Sequence, residues 1–292
     1  EGLIEPILIG RPAVIQARIT KAGLRMVLGK DISCVNPEDD PRFRQYWETY
    51  HQLMGRQGVT PEAAKAAVRR STTTIASLMV KLGDADAMLC GLHGKFDIHL
   101  SHIKDIIGMA PGAPTMAALN GLMLEKHTLF IADTYVNEDP DAEQLAHIAM
   151  MAVEEVRRFG LPPKVAFLSH SNFGSSSRAS AKKMRLARDI FAKMCPDVES
   201  DGEMHGDSAL SEEIRNHSLM QSQLTGSANI LICPNLDSAN ILFNVLKITG
   251  GQGMTVGPIL LGANAPVNVL TPSASVRRIL NMSALAAARA RS

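Results

Sequence analysis

The sequence predicts an α/β fold built mainly on parallel sheets. Two observations carry the prediction: apolar, β-branched runs of strand length recur along the chain, and amphipathic helical patterns lie between them. Continuous apolar runs suit strands covered on both faces, as in a parallel sheet. A third observation sets the scale. At 292 residues the chain is long for one core and sufficient for two.

The elements follow in order. "PILIG" (6–10) reads as a buried strand with no introductory segment, and the first residue is Glu. The expectation is a chain cut from a longer protein, with the missing part N-terminal. "NPEDDPRFRQYWETYH" (36–51) reads as a helix led by acids, its aromatic side, with Trp47, packed inward. "DAMLCG" (86–91) is a strand, and His99 and His102 stand at i, i+3 on the next helix. Two histidines alone do not complete a metal site. "TLFIADTYV" (128–136), "KVAFLS" (164–169), "NILICP" (229–234), "TVGPILLG" (255–262) and "PVNVL" (266–270) are the later strands. The clearest helix is 141–160. Leu145, Ile148, Met151 and Val156 keep near-helical spacing, acids lead, Arg157 and Arg158 trail, and Gly160 ends it. Segments 178–194 and 238–248 are similar.

Gly/Pro-rich "GMAPGAP" (108–114) is the best hinge candidate, and "GGQG" (250–253) is the second. With both as hinges, a first lobe of residues 1–110 is completed by 258–292, and 111–257 forms an inserted second lobe. A cleft between lobes is then expected.

Composition excludes several function classes. Hydrophobic residues make up 46% and charged residues 20%, as in a globular protein. Thirty basic residues face twenty-nine acidic ones, a net charge of +1. No general nucleic-acid or membrane surface follows from that balance, so anion binding must be local. No apolar run approaches the roughly 20 residues of a membrane span. Cys34, Cys90, Cys195 and Cys233 form no CxxC. Reduced, buried thiols in a cytoplasmic protein are the plain expectation.

Four segments carry candidate chemistry. "LSHSNFGSSS" (168–177) joins a strand to a helix, and its Ser169, Ser171, Asn172 and Ser175 are candidate ligand contacts. Such a turn presents N–H groups and hydroxyls to a ligand, often phosphate; alternatively its serines cap the helix. "DGEMHGD" (201–207) gathers Asp201, Glu203, His205 and Asp207, for acid–base or metal chemistry or as a solvated loop. "CPNLDSANI" (233–241) places Asn235 and Asp237 at a strand's carboxyl end, with Asp237 either facing a ligand or capping the helix. In "VNVLTPSASVRRILNM" (267–282), Thr271 and Ser273 precede a helix whose first turn holds Arg277 and Arg278. Cations there oppose the helix dipole unless an anion sits between them and the N–H groups. The plain alternative has both side chains in solvent or paired with acids of a neighbouring subunit.

These segments, with "GSANILICPNLDSANI", "GPILLGANAPVNVL" and "FIADTYVNEDPDAEQLAHIA", resemble the phosphate acetyltransferase (phosphotransacetylase) family along nearly the whole chain. "NPEDDPRFRQYWETYH", "LSHSNFGSS" and "VLTPSASVRRILNM" are similar to the version of this domain fused behind the catalytic part of bacterial NADP-dependent malic enzymes. The resemblance implies two three-layer αβα lobes around a cleft, similar to the isocitrate and isopropylmalate dehydrogenases. It also implies acetyl transfer between phosphate and coenzyme A, and a homodimer through this domain. Active members carry a Ser-Arg pair after the strand matching "PVNVL" and an Asp at the start of the next helix. In this sequence those positions hold Thr271, Pro272 and Arg278, while a further family Arg falls on Ser101 and a family Lys on Phe173.

The resemblance implies that the family's Asp helps deprotonate the coenzyme A thiol and that the arginines hold the anionic phosphate; an arginine in the place of that Asp stays protonated and cannot act as a general base. The expectation is a non-catalytic domain that binds acetyl-coenzyme A as an effector, itself without cofactor or metal. NADP, a divalent metal and the oxidative decarboxylation of malate to pyruvate would belong to the N-terminal malic enzyme part. The competing readings are a working phosphate acetyltransferase and a purely structural oligomerisation module.

Overall fold

The computed structural model describes residues 2–124, 127–218, 221–250 and 254–291. It divides into two compact units, 1–108 with 263–292 and 109–262. The first boundary falls within the Gly/Pro-rich 108–114 segment. The expected boundary after 257 falls inside a strand, Thr255–Leu261, which stays whole in the second unit. Apart from Gly250, the second hinge candidate lies outside the described residues.

The first unit begins with β1 (Ile7–Ile9), α1 (Pro12–Lys21), β2 (Ser33–Val35), α2 (Phe43–Met54), α3 (Pro61–Arg70), α4 (Thr72–Leu82), β3 (Met88–Cys90) and α5 (Phe96–Ile106). The second unit contains β4 (Ala117–Met123), β5 (Thr128–Ala132), α6 (Ala142–Arg158), β6 (Lys164–Leu168), α7 (Ala179–Met194), β7 (Glu199–Met204), α8 (Gly206–Leu210), α9 (Glu212–Ser218), β8 (Ile230–Ile232), α10 (Leu236–Thr249) and β9 (Thr255–Leu261). The chain then returns to the first unit with β10 (Val267–Val269) and α11 (Val276–Ala290).

In the second unit six strands form one sheet in the order β7-β6-β8-β5-β4-β9. β5, β8, β6 and β7 are mutually parallel, and β4 runs against both its neighbours. Side chains alternate between the two faces. Phe130 packs against Phe159 at the end of α6 (ring centroids 5.4 Å apart), and Phe167 against Phe191 of α7 (5.7 Å), both pairs tilted. Leu129, Ile131, Ala166 and Leu231 pack on the other face with Ala209 of α8 and Phe243 of α10. Three layers result, and burial of both faces is why these strands read as unbroken apolar runs. α6 starts with a reciprocal cap in which Asp141 accepts from Gln144 N–H and the Gln144 side chain accepts from Asp141 N–H.

In the first unit β1 pairs with β2 and β10 with β3, both parallel. Tyr46, Tyr50, Met54, Val68, Ile75, Leu78 and Ile106 of α2 to α5 form a buried cluster, with Trp47 partly buried against it. Gly91, just after β3, has φ +89°, and a Cβ there would stand 2.3 Å from the Leu270 carbonyl oxygen after β10. Only glycine permits that approach.

Several expectations need correction. "PILIG" forms a strand, but Ile7 and Leu8 are exposed. β4 is an unforeseen antiparallel member, its small residues carrying weak strand propensity. The strand at 128 ends at Ala132, because the buried Asp133 carboxylate gathers the N–H groups of Tyr135, Val136 and Asn137 into a turn. Residues 201–204 are not a solvated loop: they lie in β7, buried. All four cysteines are free, but only Cys233 is fully buried. Burial pushes the Cys90 and Cys233 thiols up to about 12, away from nucleophilic reactivity.

Candidate functional site

The parallel register of β5, β8, β6 and β7 brings four loops to one edge of the second unit's sheet. They are the Asp133 turn, the 233–237 turn, the serine loop after β6 and the His205 turn after β7. Ligands of open α/β sheets bind at strand carboxyl ends.

The serine loop is knit to β7 through Glu203, which is fully buried. Ser171 Oγ donates to Glu203 Oε1 (2.8 Å), and so do Gly174 N–H (2.8 Å) and Arg185 Nη2 (2.9 Å). Arg185 Nε donates to Oε2 (2.9 Å). Burial alone would raise this carboxyl, but the Arg185 guanidinium and the Gly174 and Ser171 donors win and hold it at about 2. With its own proton on Glu203, Ser171 must accept from Ser175 Oγ (3.1 Å) and from Ser176 N–H (3.0 Å). Ser175 accepts in turn from Asn172 N–H (3.0 Å). Ser171 N–H donates to Ser169 Oγ, Phe173 N–H to the Glu203 carbonyl, and Ser175 N–H to the Asn172 carbonyl.

Every amide from Ser171 to Ser176 therefore donates within the protein. The expected display of N–H groups to a phosphate is not what these amides do. The capping alternative fails as well, since α7 has Arg178 at its N-cap and no side-chain cap bond. Asn172 also latches the neighbouring turn: its Oδ1 accepts from His205 N–H (2.8 Å), and its Nδ2 faces His205 Nδ1 (3.3 Å).

The other acids of "DGEMHGD" are also occupied. Asp201 Oδ2 accepts from Ser222 Oγ (2.9 Å) and Gln223 N–H (2.6 Å). Asp207 Oδ1 accepts from Ser208 N–H. No cluster among the described residues is arranged to hold a metal. His99 bridges Thr73 Oγ1 and the His93 carbonyl, both at 2.7 Å, as a structural clamp. In the 233–237 turn Asn235, not Asp237, caps α10, accepting from Ser238 N–H (3.0 Å). Asp237 is exposed in the first turn, where the helix dipole favours it.

On the first unit β10 leads into the 271–278 segment. Thr271 Oγ1 and Ser273 Oγ lie 3.1 Å apart, and Ala274 N–H donates to the Thr271 carbonyl. Ser275 is the N-cap of α11, accepting from Arg278 N–H (3.2 Å). Arg277 and Arg278 are thus the second and third residues of the helix, the former exposed and the latter half-buried, with no acid in that turn.

A family model described as "Phosphate acetyl/butaryl transferase" matches residues 1–287. The chain belongs to this family. It is 53% identical over 289 residues to the NADP-dependent malic enzyme of Salmonella typhimurium, covering 99% of this chain and 38% of that protein. The phosphate acetyltransferase of Corynebacterium glutamicum is 30% identical over 290 residues, covering 99% of this chain and 87% of that protein. Among solved structures, a phosphotransacetylase from Streptococcus pyogenes matches with a TM-score of 0.89 at 30% identity, covering 99% of this chain and 87% of that one. This family member thus spans well under half the length of the malic enzyme it matches.

Sequence reasoning missed the Glu203–Arg185 hub and the buried Asp133. Asp133 also accepts from Ala118 N–H (2.9 Å), and burial raises its carboxyl above the usual range. A signal for β7 existed in the strand-length spacing between α7 and the next helix.

Proposed function

We propose that this chain is the regulatory domain of a malic enzyme, binding acetyl-coenzyme A or a related acyl thioester without converting it. One observation carries the reading. Where the family resemblance calls for an Asp at the start of the helix, the chain has Arg278, the third residue of α11. A permanent cation cannot accept the thiol proton of coenzyme A. Pro272, in place of the family arginine, has neither charge nor donor to steady a transferring acyl phosphate. Losing one such donor slows catalysis by about 100-fold or more.

The sequence balance supports the same reading. Identity to a malic enzyme is 53%, and to phosphate acetyltransferases near 30%. In the proposed complex Arg277 and Arg278 face the anionic groups of the nucleotide beside Thr271 and Ser273. Taken by itself, the second unit has Asn172, Ser169, Ser175, Asn235 and Asp237 as its own candidates, at its strand ends. Ser171 acts within the loop. The longer protein would decarboxylate malate with NADP and a divalent metal. Acyl thioester binding would adjust that activity through a coupling of about 1–3 kcal/mol.

We further propose the homodimer that the family resemblance implies, with the exposed Ile241, Val245 and Ile248 at i, i+4, i+7 on α10 as its candidate face. No helix among the described residues is long and apolar enough to cross a membrane. Four free thiols fit a reducing cytoplasm.

The test mixes purified chain with acetyl phosphate and coenzyme A and follows thioester formation. No product above the protein-free control is expected, and steady turnover would restore the transferase reading. Absence of any thermal shift at millimolar acetyl-coenzyme A would favour a structural module.

A further inference from the structure

The serine loop presents a paradox for a ligand site, because the amides from Ser171 to Ser176 and the Ser171 and Ser175 hydroxyls are engaged internally. One side chain outside the loop organises all of this. Glu203, on β7, receives the Ser171 hydroxyl and the Gly174 amide on one oxygen, and its own carbonyl receives Phe173 N–H. Arg185 of α7 closes over the carboxylate through two nitrogens.

The loop backbone is bent to reach this partner. Phe173 has φ +40° and Gly174 φ +88°, so two consecutive residues sit in the left-handed region. For a phenylalanine that conformation costs on the order of 1 kcal/mol and persists only where surroundings impose it. The Glu203 carboxylate and carbonyl, reaching the amides of both residues, supply the imposition.

We propose that Glu203 is the positioning residue of this site: with Arg185 it holds the serine loop in one shape before any ligand arrives. The loop then offers the Ser169 hydroxyl, at the end of β6, from a rigid platform, with Asn172 held by its latch to His205, and the ligand bears no cost of ordering the loop. Ser171 acts only as a link between the carboxylate and the Ser175–Ser176 turn. The ligand half of this proposal rests on the acyl thioester reading; the lock itself does not.

Glu203→Gln keeps the shape but turns an amide N–H₂ or a single carbonyl toward donors that need a carboxylate. Hydrogen exchange, read by mass spectrometry over residues 169–178, follows the lock without ligand. Calorimetry with acetyl-coenzyme A follows positioning. Exchange in this segment about 10-fold faster or more, with β8 unchanged and affinity falling about 10-fold, is the expected result. Exchange equal to the unmodified chain overturns the lock. Faster exchange with affinity within about twofold overturns the positioning role. If Glu203→Gln does not fold, Arg185→Lys decides on the same two readouts, with smaller changes in the same direction expected and no change overturning the proposal. If the unmodified chain binds no acetyl-coenzyme A, the ligand half falls together with the functional reading, and the exchange data still judge the lock.

Discussion

Two junctions of this molecule look alike in sequence and are built on opposite principles. Each leaves a parallel strand, passes through serines and enters a helix: β6 to α7 in one unit, β10 to α11 in the other. At the first, a buried carboxylate from a neighbouring strand absorbs the serines, and the helix starts without a side-chain cap. At the second, the helix is capped by its own Ser275, and two arginines enter the positive end of the dipole. The lesson is that serine content does not say what serines do. A buried charge within reach turns them into braces, and without one they cap helices or stay near the surface.

The largest effect that would break this contrast is catalytic. Placing the family's residues back, as Pro272→Arg with Arg278→Asp, is expected to raise acetyl transfer from undetectable by orders of magnitude, about 100-fold for each restored group. Thioester absorbance measures it, and an unchanged rate would show that more than this junction was lost.

Next comes stability at the first junction. Glu203→Ala leaves Ser171, Gly174 N–H and Arg185 without their acceptor and is expected to cost about 3 kcal/mol in urea unfolding. The sign of its pH dependence follows from a carboxyl held at about 2 against an ordinary 4.5. Its stabilisation is complete above the ordinary value and is lost as pH falls from there toward 2. Acid unfolding of Glu203→Gln should therefore be shallower across that window, and parallel curves would count against the ion pair that Arg185 makes with the buried carboxylate.

At the second junction the effects are smaller and sharper. Ser275→Ala removes the α11 cap and is expected to cost about 1 kcal/mol. Arg277→Glu should stabilise the fold by about 0.5 kcal/mol through the dipole, while acetyl-coenzyme A affinity drops. Opposite movement of melting temperature and affinity marks residues kept for a ligand and not for the fold. The smallest effect is expected at Ile248→Lys, within about 0.5 kcal/mol for the folded chain, yet halving the mass seen by light scattering if α10 meets a second copy.

The same contrast explains what the sequence made legible. Strands with both faces covered, such as β5, β6 and β8, advertise themselves as apolar runs, and α6 announces its cap with Asp141 and Gln144. β7 does not, because "ESDGEM" is polar in composition and buried in fact. Its acids are tolerated through Arg185, Ser222 and Gln223, partners supplied by other elements. The choice of Asn235 over Asp237 as the α10 cap turned on a two-residue boundary that composition cannot fix. At the β10–α11 junction the unusual charge at residue 278 lies in the sequence itself, and so does its place in the first turn of α11.

Calorimetric titration of acetyl-coenzyme A into the unmodified chain tests the account most directly. The predicted result is a saturable heat, with affinity at least about 10-fold weaker in Arg278→Glu. A flat titration at millimolar ligand, or equal affinity in the two proteins, would contradict it.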